Sequence, residues 1–317
     1  MGEIFKETEQ LNLFGESEQE SIEQSLFDRF IIPPFSIFDS RQGYWQNRKK
    51  VWLSLGIKSE IGRDSKCFHM QEWADKKRQE GALSGNKLPN DISIFDPVVC
   101  EIAYKWFNIQ GGIVLDMFAG GSVRGIVAEK LGYKYFGFDL RQEQVDANIE
   151  NAKELNCKPT WYCDDSKNLD NYIQNESADM LFTCPPYFDL EVYSDNPLDL
   201  STMDYKDFEI AYQEIIQKGC KALKNNRFAV MVVGDIRDKD GYMVSLRDLT
   251  IKCFENCGVK LYNDIILATS LASASLRAAT PFTINRKITK VHQYILVFYK
   301  GDTKKIKDTF KELELDY

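Results

Sequence analysis

Short apolar runs alternate with helix-like segments between about residue 92 and residue 300. The seven runs are GIVLD (112–116), YFGFD (135–139), TWYC (160–163), ADMLFT (178–183), FAVMVVGD (228–235), IILAT (265–269) and YILVFYK (294–300). Strands that alternate with helices of this length predict βαβ units and a parallel sheet. We therefore predict a Rossmann-like α/β fold with a seven-stranded, mostly parallel sheet, in which the last two strands form an antiparallel pair.

Charge and composition divide the rest of the chain. Residues 1–30 carry eight acidic side chains against two basic ones, so most of the net charge of −8 lies there. Because the rest of the chain is nearly neutral, its charge does not exclude a polyanionic partner. We predict an acidic N-terminal segment (1–33), an aromatic and basic extension with a linker (34–91), the main α/β domain (92–301) and a helical tail (302–317). Scattered cysteines and the lack of a long apolar run predict a cytoplasmic protein.

A glycine-containing loop, MFAGGS (117–122), follows the first apolar run. Glycines between a strand and a helix let the backbone approach a ligand closely, although a plain tight turn is the alternative. Asp139 closes the next strand, at the position where a carboxylate typically meets ribose hydroxyls. Because the glycines lack the G-x-G-x-x-G spacing, the pattern favours a cationic, amino-acid-bearing nucleoside. Asp116 would face its ammonium group or the loop backbone.

A second signal, TCPPY (183–187), ends the fourth run. Two prolines cannot continue a central strand, so they predict a rigid corner at the carboxyl edge of the sheet, where open α/β folds bind ligands. There the carbonyls of Cys184 and Pro185 could accept hydrogen bonds while Tyr187 offers a ring face. These groups suit a planar amine, although a loop that merely contains prolines is the alternative.

Together these motifs resemble the S-adenosylmethionine-dependent DNA amino-methyltransferases, and residues 34–301 resemble phage and prophage DNA modification methylases. The resemblance implies a cofactor site made of Phe95, Asp96, Pro97, Asp116, Phe118, Ala119, Gly120, Gly121, Ser122, Asp139, Asp165 and Thr183. It implies a catalytic corner made of Thr183, Cys184, Pro185, Pro186 and Tyr187. Asp139 would bind the ribose, Asp165 the adenine amino group, and residues 95–97 would close the methionine side.

Two positions depart from the family pattern. Met117 replaces the usual proline of the cofactor loop, and Cys184 stands where the family has Asp, Asn or Ser. Since a small side chain is closest to Ser, we favour cytosine N4 slightly over adenine N6 as the methyl acceptor. Three alternatives stay open: C5 methylation with Cys184 as nucleophile, an RNA amine as substrate, and a catalytically silent module that binds cofactor or DNA.

Two basic stretches are candidates for DNA binding, or else for ordinary solvated faces. The expected phosphate contacts are Arg277, Arg286, Lys287, Lys290, Arg48 and Lys49. Trp45, Val51, Trp52 and Leu55, in the stretch that carries Arg48, could share one helical face. We predict no metal site, because the chain has only two histidines and Cys253 and Cys257 suit structural thiols. The sequence leaves open a homodimer, a partner nuclease and the recognition sequence.

Overall fold

The computed structural model describes residues 32–58, 95–187, 196–238, 240–269 and 274–313, with the backbone alone for 274–277. Over these residues the helices are α1 (Gly43–Ser54), α2 (Pro97–Phe107), α3 (Val123–Lys130), α4 (Gln142–Glu154), α5 (Tyr205–Ala222), α6 (Leu246–Glu255), α7 (Ala274–Asn285) and α8 (Ile306–Thr309). The strands are β1 (Ile37–Asp39), β2 (Ile113–Asp116), β3 (Lys134–Asp139), β4 (Thr160–Cys163), β5 (Ala178–Thr183), β6 (Leu223–Val233), β7 (Ile236–Arg237), β8 (Met243–Val244), β9 (Lys260–Ala268) and β10 (His292–Lys300).

The main sheet has the order β1-β9-β10-β6-β5-β2-β3-β4, and among the described strands of this sheet β10 alone runs against its neighbours. This is the predicted Rossmann-like α/β architecture, and the predicted antiparallel pairing of the last two long strands is confirmed. The predicted strand number was wrong, because the described sheet has eight strands. The additional strand, β1, pairs in parallel with β9 and has only three residues, too few to give a recognisable apolar run.

Alternating side chains of the sheet supply two hydrophobic cores, one on each face. In β5, Met180 and Phe182 pack with α1, α2 and α3, whereas Leu181 packs with α5 and α6. The strand is buried along its whole length, as expected for a central parallel strand. Helices therefore cover both faces, and the loops at the carboxyl ends of β2 to β6 gather along one edge.

The N-terminal extension packs onto this framework through α1. Trp45, Trp52 and Leu55 are buried and Val51 packs against the same core, which confirms the predicted helical face. Trp52 Nε1 donates to Glu101 Oε2 of α2 at 2.7 Å. The extension is therefore part of the same core as α2, with a strand and a helix of its own.

Arg48 of α1 forms a buried, two-pronged ion pair with Glu101, with N–O distances of 2.7 and 2.8 Å. Burial would raise the pKa of Glu101, but Arg48 and Lys105 outweigh it and lower that pKa. The Arg48 side chain is only 7% exposed, so a phosphate cannot reach it. The expectation that Arg48 binds DNA is therefore wrong: its guanidinium holds α1 on α2.

Several sequence predictions fall on residues outside those described. They concern nearly all of the acidic N-terminal segment and the linker at 59–91. Among the described residues, no helix combines the length and the apolar character needed to cross a membrane.

Candidate active site

A cavity of about 420 Å³ opens at the carboxyl edge of the sheet. Both sequence motifs contribute to it. The predicted cofactor and catalytic residues that line it are Phe95, Asp96, Phe118, Gly120, Gly121, Asp139, Asp165, Cys184, Pro185, Pro186 and Tyr187. Its volume lies within the range of small-molecule and cofactor pockets, roughly 300 to 1,000 Å³. The sheet therefore brings the glycine-containing loop and the proline corner to one pocket.

Five of the predicted cofactor and catalytic residues do not line this cavity. They are Pro97, Asp116, Ala119, Ser122 and Thr183, and all five are buried. Asp116 and Thr183 have no exposed surface at all, so neither can contact a ligand directly. The expectation that they touch the cofactor or the target base is corrected, and their hydrogen bonds show what they do instead.

Asp116, at the end of β2, is the centre of a buried polar network. Its Oδ2 accepts hydrogen bonds from Arg124 Nε and Tyr135 Oη, both at 2.6 Å. Its Oδ1 accepts from the Phe118 backbone N–H at 3.1 Å and from the Thr183 hydroxyl. The carboxylate thus ties the loop after β2 to β5 and to α3. This is the loop-facing role, one of the two predicted for Asp116.

Arg124 shapes the same loop from inside the protein. Its guanidinium donates to the carbonyls of Phe118 and Ala119, and it lies 4.7 Å from the centre of the Phe95 ring. Burial would lower the pKa of Arg124, but the neighbouring Asp116 charge outweighs this and raises it. With one carboxylate and two carbonyls as partners, the buried cation fixes the conformation of the turn.

Tyr135 on β3 completes the network. Burial and the nearby Asp116 charge raise the pKa of Tyr135 well above its ordinary value. The phenol therefore stays neutral and remains a hydrogen-bond donor to Asp116. No sequence signal pointed to Arg124 or Tyr135, because each lies in a pattern that also fits an ordinary helix or strand.

Asp139 is placed at the cavity by the end of β3. Its Oδ2 accepts from the Gly120 backbone N–H at 3.1 Å and its Oδ1 accepts from the Arg141 N–H at 2.9 Å. Gly120 has a φ of 52°, in the left-handed region that glycine adopts readily. The Asn148 side chain donates to the Gly120 carbonyl at 2.7 Å. The loop and the carboxylate are consequently held in one fixed arrangement.

The far end of the cavity lies after β4. Asp165 caps the short 3₁₀ helix 166–171 by accepting from the Lys167 N–H at 2.9 Å, and it lies 3.2 Å from Lys167 Nζ. The neighbouring Ser166 hydroxyl donates to the Met117 carbonyl. Asp165 and Asp164 both line the cavity, so this end presents carboxylate acceptors.

Met117, which replaces a proline of the family pattern, has a packing role. A Cβ added to Gly219 of α5 would lie 2.2 Å from Met117 Sδ, so the methionine side chain occupies space that only a glycine leaves open. Met117 is fully buried in the core beneath α5. The methionine of this loop therefore packs into the space left by Gly219.

The opposite end of the cavity is closed by the extension and by the segment before α2. Asp96 caps α2 by accepting from the Val98 N–H, and its Oδ2 accepts from Trp45 Nε1 at 3.1 Å. Lys49 Nζ lies 3.3 Å from the same oxygen and lines the cavity. The expected DNA contact Lys49 thus faces the pocket that the cofactor motifs form.

The proline corner places Tyr187 against the end of β6. A Cβ on Gly234 would lie 3.7 Å from the tyrosine ring, so the ring rests on glycine backbone. Cys184 Sγ lies 3.6 Å from Tyr187 Oη, and Gln293 Nε2 on β10 donates to the same hydroxyl. Gln293 lines the cavity although sequence reasoning missed it. A single glutamine just before the predicted run 294–300 belongs to no recognisable motif, so the sequence did not identify it.

The cations after α7 differ in their surroundings. Lys290 Nζ lies 2.7 Å from Asp235 Oδ2 and 4.3 Å from the centre of the Tyr294 ring, so its charge is already paired. Arg286 is exposed and donates to two carbonyls at the end of α7, and Lys287 is half-exposed. The Arg277 side chain lies outside the described atoms. Arg286 and Lys287 keep their predicted role as candidate phosphate contacts.

Comparison with solved structures finds similarity to several methyltransferases. TrmN from Thermus thermophilus matches with 13% identity and a TM-score of 0.44, over 65% of this chain and 49% of that one. A candidate DNA modification methylase, also from Thermus thermophilus, matches with 18% identity and a TM-score of 0.34, over 47% and 53%. The chain thus spans about half the length of these two proteins.

A third similar structure is magnesium protoporphyrin IX methyltransferase from Synechocystis, which contains bound S-adenosylmethionine. It matches with 14% identity and a TM-score of 0.44, over 74% of this chain and 94% of that one. No protein-family model and no curated protein sequence matches the chain. At these low identities and TM-scores, we base the functional proposal on residues of this chain alone.

Proposed function

We propose that this chain is an S-adenosylmethionine-dependent methyltransferase that modifies an exocyclic amino group of a base in DNA, with cytosine N4 slightly favoured over adenine N6. One observation carries the proposal. The loop after β2, the carboxylate ending β3 and the proline corner after β5 line one cavity at the carboxyl edge of the sheet. A methyl transfer needs its donor and acceptor side by side. The loop after β2 and the carboxylate ending β3 suit the donor, and the proline corner suits the acceptor.

The residues of the cavity fit a cationic, amino-acid-bearing nucleoside. Asp139 would accept from ribose hydroxyls, and Asp165 from an adenine amino group. At the other end, Asp96 would accept from the ammonium group of the methionine part. Lys49, 3.3 Å from Asp96, would pair with the carboxylate of the same part. The cavity is therefore complementary to a zwitterionic end and a nucleoside end.

The part of the cavity lined by residues 184–187 is called the acceptor half here, and it fits a planar base. Tyr187 offers a ring for stacking, and the backbone carbonyls of the rigid corner before it would accept hydrogen bonds from an amine. A base inside a duplex cannot reach this position, so the target must leave the stack, at a cost of roughly a few kcal/mol. The stacking surface of Tyr187 would offset part of that cost.

The bound cofactor would supply an electrophilic methyl group: the amine lone pair forms the new N–C bond, the S–C bond breaks with its electron pair on sulfur, and one amine proton is released to solvent. The protein residues position the reacting groups. Hydrogen bonds from the amine to fixed carbonyl acceptors keep its lone pair available and in line with the methyl carbon, which is a contribution of orientation and electrostatics.

Arg286 and Lys287 support a nucleic acid as the carrier of this base. They lie next to β10, the strand that contributes Gln293 to the cavity, and both are accessible to solvent. Phosphate contacts of this kind position a duplex and carry no base specificity. An RNA amine is the main alternative, because phosphate contacts and an extruded base suit both polymers.

A methyl-transfer assay with radiolabelled S-adenosylmethionine tests the proposal. Double-stranded DNA, single-stranded DNA and structured RNA are offered separately and then in competition. We expect labelling of DNA that RNA does not suppress. Labelling of RNA alone would contradict the DNA assignment, and binding of the cofactor without labelling of either polymer would favour the silent module.

A further inference from the structure

The acceptor half of the cavity lacks a strong side-chain acceptor at the expected position. Amino-methyl transfer benefits from acceptors for the N–H groups of the target amine, and a thiol such as that of Cys184 is a weak one. Thr183 cannot replace it, because its buried hydroxyl donates to Asp116. A carbonyl oxygen on a side chain elsewhere in the cavity would supply what the thiol lacks.

Gln293 has such an oxygen. It lies near the start of β10, opposite Leu267 of β9, and lines the cavity together with Cys184 and Tyr187. Its Nε2 donates to Tyr187 Oη, which fixes the direction of the amide group. With Nε2 committed in this way, Oε1 has no hydrogen-bond partner within the described part of the chain. A carboxamide oxygen has two lone pairs and is a good acceptor for an amine.

Two other polar side chains that line the cavity are already occupied. Asp199 caps the 3₁₀ helix 200–202 by accepting from the Ser201 N–H and hydroxyl, at 2.9 and 2.7 Å. The Thr269 hydroxyl donates to the Val291 carbonyl at 3.2 Å. Gln293 thus combines an oriented amide with an oxygen that is available to a ligand.

We propose that Gln293 is a catalytic residue whose Oε1 accepts a hydrogen bond from the target amine, in place of the side-chain acceptor that Cys184 does not provide. This inference rests on the proposed function, because it assigns a role within the same amino-methyl transfer. The amide does not take up the proton. It holds one N–H in place while the nitrogen attacks, and the released proton passes to solvent. In the same arrangement Nε2 keeps the Tyr187 ring in its stacking position.

The test compares Gln293→Leu with the wild-type protein in single-turnover methylation of DNA. Leucine keeps the approximate size but removes the acceptor and the donor. We expect turnover to fall by about 10- to 100-fold, while the dissociation constant for S-adenosylmethionine stays unchanged. Gln213→Leu is the matched control, because Gln213 bonds between α5 and the end of α6 and does not line the cavity. That variant should keep wild-type turnover.

Two further variants separate the acceptor role from a purely positioning one. Tyr187→Phe keeps the ring and the Gln293 oxygen but removes the hydroxyl that orients the amide, so we expect a loss of turnover clearly smaller than that of Gln293→Leu. Gln293→Leu combined with Cys184→Asn returns a side-chain carbonyl to the corner, and we expect it to recover at least about 10-fold of the lost turnover. A Tyr187→Phe loss equal to that of Gln293→Leu, with no recovery in the double variant, would overturn the acceptor role.

The outcomes also distinguish this inference from the proposed function. Wild-type protein that methylates DNA, with Gln293→Leu equally active, overturns the Gln293 role alone. Wild-type protein that binds the cofactor but transfers no methyl group to any DNA overturns both. Loss of activity in Gln293→Leu accompanied by weaker cofactor binding would contradict the acceptor role, since that role predicts an unchanged dissociation constant.

Discussion

The two halves of the cavity are built in different ways. On the cofactor side, the loop after β2 is held by a fully buried carboxylate, a buried guanidinium and a buried phenol, which lie within 20 residues of one another. On the acceptor side, half-buried Tyr187 is held by Gln293, which lies 106 residues further along the chain. A network of several buried side chains centred on Asp116 fixes the first half, whereas the second includes a long-range contact between Gln293 and Tyr187.

This difference predicts unequal responses to substitution. Changes in the buried network should affect folding and cofactor binding together. Changes on the acceptor side should reduce methyl transfer and leave the fold intact.

Asp116→Asn should have the largest effect, because it leaves the buried Arg124 guanidinium without its ionic partner. Breaking a buried pair from one side typically costs about 3 to 5 kcal/mol. Denaturant unfolding should show a loss of this size, and binding of S-adenosylmethionine should be lost with it. The exposed pair between Lys58 and Glu154 provides the control, since Lys58→Ala should leave the unfolding midpoint almost unchanged. Equal stability of Asp116→Asn and wild type would contradict the network's role.

Tyr187→Ala should abolish most methyl transfer, by about 100-fold or more, because it removes the stacking surface for the target base. Cofactor binding should persist, since the tyrosine lies on the acceptor side. Single-turnover methylation and calorimetry on the same preparation measure both quantities. Undiminished methyl transfer would show that the target base does not stack there.

Asp139→Ala should weaken S-adenosylmethionine binding by about 10- to 100-fold through lost hydrogen bonds to the ribose. Titration calorimetry measures the dissociation constant directly. Asp146→Ala is a suitable control, because Asp146 lies on the exposed side of α4 and bonds only to Gln142 in the described structure. An unaltered dissociation constant for Asp139→Ala would contradict the ribose role.

Lys49→Met should have the smallest effect, a roughly 3- to 10-fold weaker cofactor binding, because its cation is partly exposed and already near Asp96. The salt dependence of DNA binding should stay the same, which separates the cofactor role from a phosphate contact. Lys50→Met, at the exposed neighbouring position, should leave cofactor binding unchanged. If Lys49→Met showed a weaker salt dependence of DNA binding together with normal cofactor binding, Lys49 would be a phosphate contact instead.

The same comparison explains what the sequence could predict. The alternation of apolar runs predicted the α/β fold and the antiparallel pairing of β9 with β10, because periodicity reflects local backbone geometry. The short strand β1 escaped detection because three residues carry no period. The fold could therefore be predicted except for β1 and for the two-residue strands β7 and β8, which form a separate pair.

Prediction of the site was uneven for a related reason. The loop after β2 and the proline corner were recognisable as contiguous motifs, and eleven of their predicted residues and neighbours line the cavity. Whether a motif residue faces the ligand or lies behind it depends on packing, so Thr183 was placed on the wrong side, and only the loop-facing one of the two predicted roles of Asp116 was right. Gln293 could not be recognised from the sequence, because only the antiparallel position of β10 brings it next to Tyr187.

The most direct test of the central claim is mass spectrometry of nucleosides from DNA incubated with the protein and S-adenosylmethionine. The account predicts N4-methylcytosine or N6-methyladenine, formed by wild type and strongly reduced in Tyr187→Ala. 5-Methylcytosine would replace amine methylation with nucleophilic catalysis by Cys184. DNA without any methylated base, from a protein that binds the cofactor, would contradict the account.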